Sequence, residues 1–94
     1  MNNQDVVYVC YVLDAMAALN NEEVVSCLTV TQNIEVVGKW LHSQLNEAKE
    51  NGFLPEESIE DCEGSTEFSL CVSKGNDTDG FESYFLVCRT ELIE

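Results

Sequence analysis

The chain has 94 residues, of which 18 are acidic and 4 are basic, and its formal net charge is −14. Its length suffices for one domain, and a hydrophobic content of 45% separates it from disordered acidic tails. Phosphate contacts supply most of the affinity of proteins for nucleic acid, so this charge argues against direct binding to DNA, RNA or an anionic membrane. We therefore predict a single domain, residues 1–94, whose partners are basic.

The first predicted element is an apolar run at residues 6–13. Its β-branched and aromatic side chains favour a strand, and both alternating sets are apolar, which indicates a central strand covered on both faces. A second strand is predicted at residues 23–30 and nearer an edge of the sheet, because several of its side chains are polar. A helix from Ala15 to Leu28 is the alternative, and that choice changes the fold.

The clearest periodic pattern lies between Thr31 and Gly52. Apolar residues recur there at steps of three and four, which predicts one buried face of a long helix. Thr31 or Asn33 can cap the first free N–H groups, and Asn51 with Gly52 ends the helix. Trp40 lies beside the apolar stripe and is expected at the rim of the core. The stripe consists of Ile34, Val37, Leu41, Leu45 and Ala48.

The chain after the helix is acidic and then returns to strand-like patterns. Pro55 is well tolerated at a first helical position, which predicts a short helical turn anchored by Ile59 and ended by Gly64. Residues 66–73 alternate in polarity, as in a strand with one buried face. Residues 83–91 are apolar on both faces over much of their length and form the last predicted strand.

These elements predict an α+β fold in the order ββαββ. It consists of a four-stranded, mainly antiparallel sheet with one long amphipathic helix on one face. One helix covers one face, so the apolar residues on the other face of the first and last strands need a second cover. The short acidic segment is expected to supply part of that cover, and a homodimer or a partner protein the rest, since large exposed apolar patches usually mark interaction sites.

No pattern in the sequence predicts catalysis, a cofactor or a metal site, and we do not expect an enzyme. His42 is the sole histidine, and the cysteines lack the close spacing of zinc ligands. The calcium-loop template fails around Gly80, where Gly75 and Leu86 occupy its first and twelfth positions. A polar N-terminus without a signal peptide and the odd cysteine number indicate a cytoplasmic protein with free thiols. The cysteines are Cys10, Cys27, Cys62, Cys71 and Cys88.

The candidate binding site is acidic. Carboxylates spaced along a compact surface can take the places of nucleic-acid phosphates and engage the Lys/Arg groove of a nucleic-acid-binding protein. The alternative interpretation is a solvated surface whose charge only maintains solubility. The predicted site residues are Glu56, Glu57, Glu60, Asp61, Glu63 and Glu67 in one patch, with Asp77, Asp79 and Glu82 at a hairpin tip.

In size and charge alone, the chain resembles phage-encoded inhibitors of host defence such as anti-CRISPR proteins and DNA mimics. That resemblance implies a small binding protein in the host cytoplasm that occludes the basic nucleic-acid-binding surface of a host-defence or nucleic-acid-processing complex. The alternative is a homodimeric structural or regulatory interaction module without any mimicry of nucleic acid. Binding that weakens steeply with ionic strength distinguishes the first hypothesis from the second.

Overall fold

The computed structural model describes residues 5–15, 22, 25–62, 64–76 and 80–92. These residues form one antiparallel sheet in the strand order β2-β1-β5-β4-β3, with a helix packed on one face. The strands are β1 (Val6–Asp14), β2 (Val25–Thr31), β3 (Leu54–Pro55), β4 (Phe68–Asn76) and β5 (Gly80–Leu92). The helix, α1, spans Ile34–Glu50, and a 3₁₀ turn spans Ile59–Asp61.

The sheet has five strands, so the prediction of a four-stranded sheet is wrong, although the mixed α+β class agrees with the structure. The additional strand is β3, in which Leu54 pairs with Ser73 of β4. Two residues are too short a segment to show any strand periodicity. Pro55 is acceptable in β3 because an edge strand leaves one side of its backbone unpaired. The helical turn predicted to begin at Pro55 is corrected accordingly, since the 3₁₀ turn begins at Ile59.

The other strands lie close to their predicted positions. β1 is central, between β2 and β5, and β2 is an edge strand. The alternative helix from Ala15 to Leu28 is wrong over Val25–Leu28, which belong to a strand. The alternative helix also includes residues 16–21 and 23–24, which lie outside the described residues.

Helix α1 begins and ends at polar residues that satisfy its free backbone groups. The Asn33 side chain accepts a hydrogen bond from the Glu35 N–H at 2.9 Å, which identifies Asn33 as the cap. At the other end Gly52 adopts a φ of 88°, and the Phe53 N–H donates to the Ala48 carbonyl at 2.9 Å. This turn reverses the chain and delivers Phe53, which is buried, to the start of β3.

The core lies between α1 and one face of the sheet. Trp40 is only 7% exposed and belongs to this core, whereas Ile34, the first residue of the predicted stripe, is 46% exposed. Burial of these apolar side chains is the main contribution that stabilises the fold. The helix contributes Val37, Trp40, Leu41 and Leu45, and the sheet contributes Cys10, Val12, Leu70, Val72, Leu86 and Cys88.

An extra residue in β2 distorts the edge of the sheet. The pairing shifts between Cys10 and Val12 of β1, so that Cys27 and Leu28 both stand opposite Tyr11. Cys27 has a φ of 56°, the left-handed conformation that is typical of such bulges. Its carbonyl thereby accepts a hydrogen bond from Trp40 Nε1 at 3.0 Å, which ties the edge strand to α1.

Candidate protein-binding face

The sheet face that points away from α1, here called the open face, is apolar over β1, β2 and part of β5. Successive side chains of a strand point to opposite faces. Cys10 and Val12 of β1 are buried on the α1 side, so the residues that alternate with them lie on the open face. Among the described residues, no helix or strand packs across it. Its apolar members are Val7, Val9, Tyr11 and Leu13 of β1, Val25, Leu28 and Val30 of β2, Leu54 of β3, and Phe85 and Val87 of β5.

The apolar residues on the β2 side of the open face are strongly exposed. Leu28 is 62% exposed, Val30 is 57% exposed and Val25 is 48% exposed. Val30 pairs with Val9 and Val25 pairs with Leu13, so these side chains continue the apolar surface of β1 to the edge of the sheet. Contiguous exposed apolar surface on a small protein usually marks a place where another molecule binds.

A hollow of about 220 Å³ lies in the same region. Tyr11 of β1 and Leu28 of β2 lie next to each other on the open face, and both line the hollow together with Arg89. Hollows next to apolar side chains can accept the large anchoring side chains that dominate the binding energy of protein interfaces. The remaining lining residues are Val9, Leu13 and Val25.

Arg89 is the basic residue on the open face, and its charge is partly neutralised. Its guanidinium lies 3.0 Å from the Glu91 carboxylate and 5.8 Å from the centre of the Tyr11 ring. Both charged side chains are about half exposed, so water and salt screen the ion pair and its contribution to stability is small. The pair therefore leaves the apolar centre of the face without an unpaired positive charge.

Two predicted site residues, Glu56 and Glu57, lie at the β4 side of the open face. The Glu56 N–H donates to the Cys71 carbonyl at 2.9 Å, and the Ser73 hydroxyl donates to Glu56 Oε1 at 3.1 Å. Burial raises the pKa of the Cys71 thiol to about 11, with further contributions from the hydrogen bond and charge of Glu56 and the charge of Glu57. Both carboxylates thus lie near a cysteine of the open face, and we call them the acidic margin.

The structure does not gather the other predicted site residues into the same patch. Glu60 lies in the 3₁₀ turn, whose Ile59 packs against the core on the α1 side, so this acidic segment does not cover the open face. Glu67 precedes β4, and its charge contributes to the raised pKa of Cys88, which faces α1. Glu82 stands opposite Lys74, two residue pairs from the last pair before the turn between β4 and β5. Asp61 belongs to the 3₁₀ turn, while Glu63, Asp77 and Asp79 lie outside the described residues.

The other potentially reactive side chains of the described residues are those that could act as metal ligands or as reactive thiols. No group of three or more His, Cys, Asp or Glu side chains there could hold a metal ion, and none of the five cysteines forms a disulfide. Burial raises the pKa of the Cys88 thiol to about 12 and also raises that of Cys10, which keeps both thiols protonated. Within the described part of the chain, no helix is both long and apolar enough to cross a membrane.

A second concave region lies on the α1 side of the sheet and was not predicted from the sequence. It has a volume of about 360 Å³ and lies between the C-terminal half of α1 and the strands, where Phe53 and Tyr84 meet. We call it the helix-end cavity. Sequence patterns give no signal for it, because it depends on how α1 lies on the sheet.

The chain was also compared with known proteins. It matches no protein-family model, no curated protein and no solved structure. The class of the protein is therefore defined by its own geometry. In the described part of the chain, this is an α+β fold whose sheet has one face covered by α1 and one open apolar face.

Proposed function

We propose that this protein is a small non-catalytic binding protein whose open face and acidic margin dock on a basic surface of another protein. The observation that carries the proposal is the open face, an apolar surface with Glu56 and Glu57 at its margin. An apolar centre surrounded by charged groups is the usual organisation of protein interfaces, with affinity supplied by the centre and selectivity by the charges.

The charge distribution favours a basic partner over a second copy of this chain. Two copies that each carry a net charge of −14 repel each other, and the acidic margin would add to that repulsion in a face-to-face dimer. A partner with Lys or Arg side chains around an apolar anchor complements both features. Such surfaces are common on proteins that bind nucleic acid, whose phosphate contacts require them.

The partner is therefore expected to be a nucleic-acid-binding protein or complex, and occlusion of its basic surface is the expected consequence. This is the mode of action of an inhibitor of the DNA-mimic or anti-CRISPR type, such as phages encode, and it would operate in the host cytoplasm. The carboxylates take the place of phosphates, while the apolar face adds affinity that phosphates cannot supply.

The alternative function is a homodimeric interaction module that closes the open face by self-association. The same apolar surface supports it, and in that case the acidity serves only for solubility. The two functions differ in the role of the acidic margin. Reversal of its charge abolishes binding in the first case and leaves assembly intact in the second.

The test is affinity capture from a bacterial lysate at low salt, with the bound proteins identified by mass spectrometry. Two variants probe the interface: Leu28→Asp in the open face and the charge-reversal double variant Glu56→Lys/Glu57→Lys. The matched control is Glu47→Lys/Glu50→Lys, which makes the same change in net charge on the exposed surface of α1. All three variants are first checked for native circular dichroism.

We expect wild type and the α1 control to capture the same nucleic-acid-binding proteins, and both interface variants to lose them. Capture should also fall steeply as salt is raised, since the contacts at the margin are exposed and screened. Capture that survives both interface variants contradicts the proposal. Capture lost equally in the α1 control shows that net charge, and not the open face, is responsible.

A further inference from the structure

The helix-end cavity has the size and lining of a small-molecule site. Its volume of about 360 Å³ falls within the range of ligand pockets, about 300–1,000 Å³. Its apolar lining comes from the α1 side of the sheet, through Val12, Val72 and Leu86, and from Ala48 of the helix. The cavity therefore lies on the opposite side of the sheet from the open face.

Two aromatic rings form part of the cavity lining. Phe53 and Tyr84 pack edge to face, with ring centres 5.3 Å apart and planes inclined at 66°. Phe53 is held by the turn that ends α1, and Tyr84 is held in β5 opposite Val72. Phe53 is buried and Tyr84 is partly buried, so the two rings form a fixed apolar wall that a flat ligand can contact without a large loss of side-chain entropy.

A positioned ammonium group stands beside these rings. Lys74 Nζ lies 4.7 Å from the centre of the Phe53 ring and donates a hydrogen bond to the Asn51 carbonyl at 3.2 Å. An ammonium has three N–H donors, and this hydrogen bond uses one of them. Lys74 is one of only four basic residues in the sequence, and it lines the cavity.

The described carboxylates near Lys74 form no ion pair with it. Glu82 stands opposite Lys74 in the β4–β5 pair, and Glu47 lines the cavity from α1. Among the described residues, however, the ion pair within 4.0 Å is that of Arg89 with Glu91. Within the described part of the chain the ammonium has no carboxylate partner and can pair with an anionic group of a ligand, and the Gln44 side chain lines the same cavity as a further donor.

We propose that the helix-end cavity binds a small amphipathic carboxylate, with its flat apolar body against Phe53 and Tyr84 and its carboxylate on Lys74 Nζ. The observations behind this site are separate from those behind the open face. The two proposals therefore stand or fall independently.

The test is a titration of the ¹⁵N-labelled full chain with 2-naphthoate, followed by the amide shifts of each residue. The neutral analogue 2-naphthalenemethanol, which has a similar apolar body, is titrated in parallel. Two variants accompany the wild type: Lys74→Met removes the ammonium, and Ala48→Leu fills the cavity while Lys74 is retained. A dispersed spectrum of each variant confirms that it is folded.

We expect naphthoate to shift the amides of Phe53, Lys74 and Tyr84, and to bind more tightly than the neutral analogue. Lys74→Met should weaken naphthoate by about fivefold, the magnitude of a partly exposed ion pair, and leave the neutral analogue unchanged. Ala48→Leu should abolish binding of both compounds. Shifts confined to the open face, equal affinity for the two compounds, or no shift up to the solubility limit of naphthoate overturns the proposal.

Discussion

The thiols of Cys10 and Cys88 face each other across the two central strands, with their sulfur atoms 3.2 Å apart. Both side chains are buried, at 0% and 2% exposure, between α1 and the sheet. Cysteine in such a setting behaves as a small hydrophobic residue, and this pair fills the space where longer side chains would separate α1 from the strands. The pair is therefore a packing element of the core.

The first prediction concerns the packing role of this pair. Cys88→Ala should lower the free energy of unfolding by about 1–3 kcal/mol, the usual cost of a truncation in a packed core. Urea unfolding, followed by the fluorescence of Trp40, measures the change. Cys27→Ala, at an exposed cysteine, is the control and should change stability by less than about 0.5 kcal/mol. Equal effects of the two substitutions contradict the packing role.

Thiol reactivity should follow burial. Cys27 is exposed and should react first with Ellman's reagent at pH 8, since only the thiolate attacks and only this side chain is readily reached. Cys71 should react more slowly because its pKa is raised to about 11. Cys10 and Cys88 should react only when the protein unfolds. A Cys27→Ala variant identifies the fast phase, and a fast phase that persists in it contradicts this order.

Stability should decline at alkaline pH through Cys88. Its thiol has an ordinary pKa of 9.0, and burial raises the pKa in the folded protein to about 12. Below pH 9 the thiol is protonated in both states and its full contribution is present. Between these values the unfolded chain releases the proton that the folded protein retains, so the contribution is progressively lost as pH rises. Cys88→Val removes this titration.

The measurement is the urea midpoint of wild type and Cys88→Val between pH 7 and pH 11. Tyrosines and lysines titrate in both proteins, so the difference between the two curves isolates the thiol. We expect the difference in stability to move in favour of Cys88→Val as pH rises above about 9. Parallel curves contradict the assignment.

The hydrogen bond from Trp40 to the Cys27 carbonyl should contribute measurably to stability. Trp40→Phe removes the indole N–H and leaves a small void beside α1, and it should cost about 1–3 kcal/mol. Thermal unfolding followed by circular dichroism measures it, because the variant lacks the tryptophan signal. Ser43→Ala, at an exposed position of the same helix, serves as the control. A Trp40→Phe variant as stable as this control shows that the contact is unimportant.

Elements with long regular patterns could be predicted from the sequence. The apolar period of α1 continues over several helical turns, and the apolar run of β1 continues along the whole strand. Patterns of this length remain recognisable even where single residues depart from them. β3 could not be predicted, because it consists of Leu54 and Pro55 alone and is defined by its pairing with β4. The bulge at Cys27 likewise depends on the pairing with β1, which a single sequence does not reveal.

The candidate site was predicted in part. The surplus of apolar residues in the first strand indicated that one face of the sheet needs a cover. The acidic composition after α1 indicated where carboxylates would concentrate. What the sequence could not show is that the chain crosses from the open face to the α1 side after β3. Because of that crossing, Glu56 and Glu57 lie near Cys71 of the open face, whereas Glu60 lies with Ile59 on the α1 side of the sheet.

We propose that the open face serves a basic partner and not a second copy of this chain. The most direct test is the solution mass of the purified protein by light scattering at low and at high salt. We expect a monomer of 10.5 kDa at both salt concentrations. A dimer stable at both, and dissociated by Leu28→Asp, would contradict it and would identify self-association as the use of the open face.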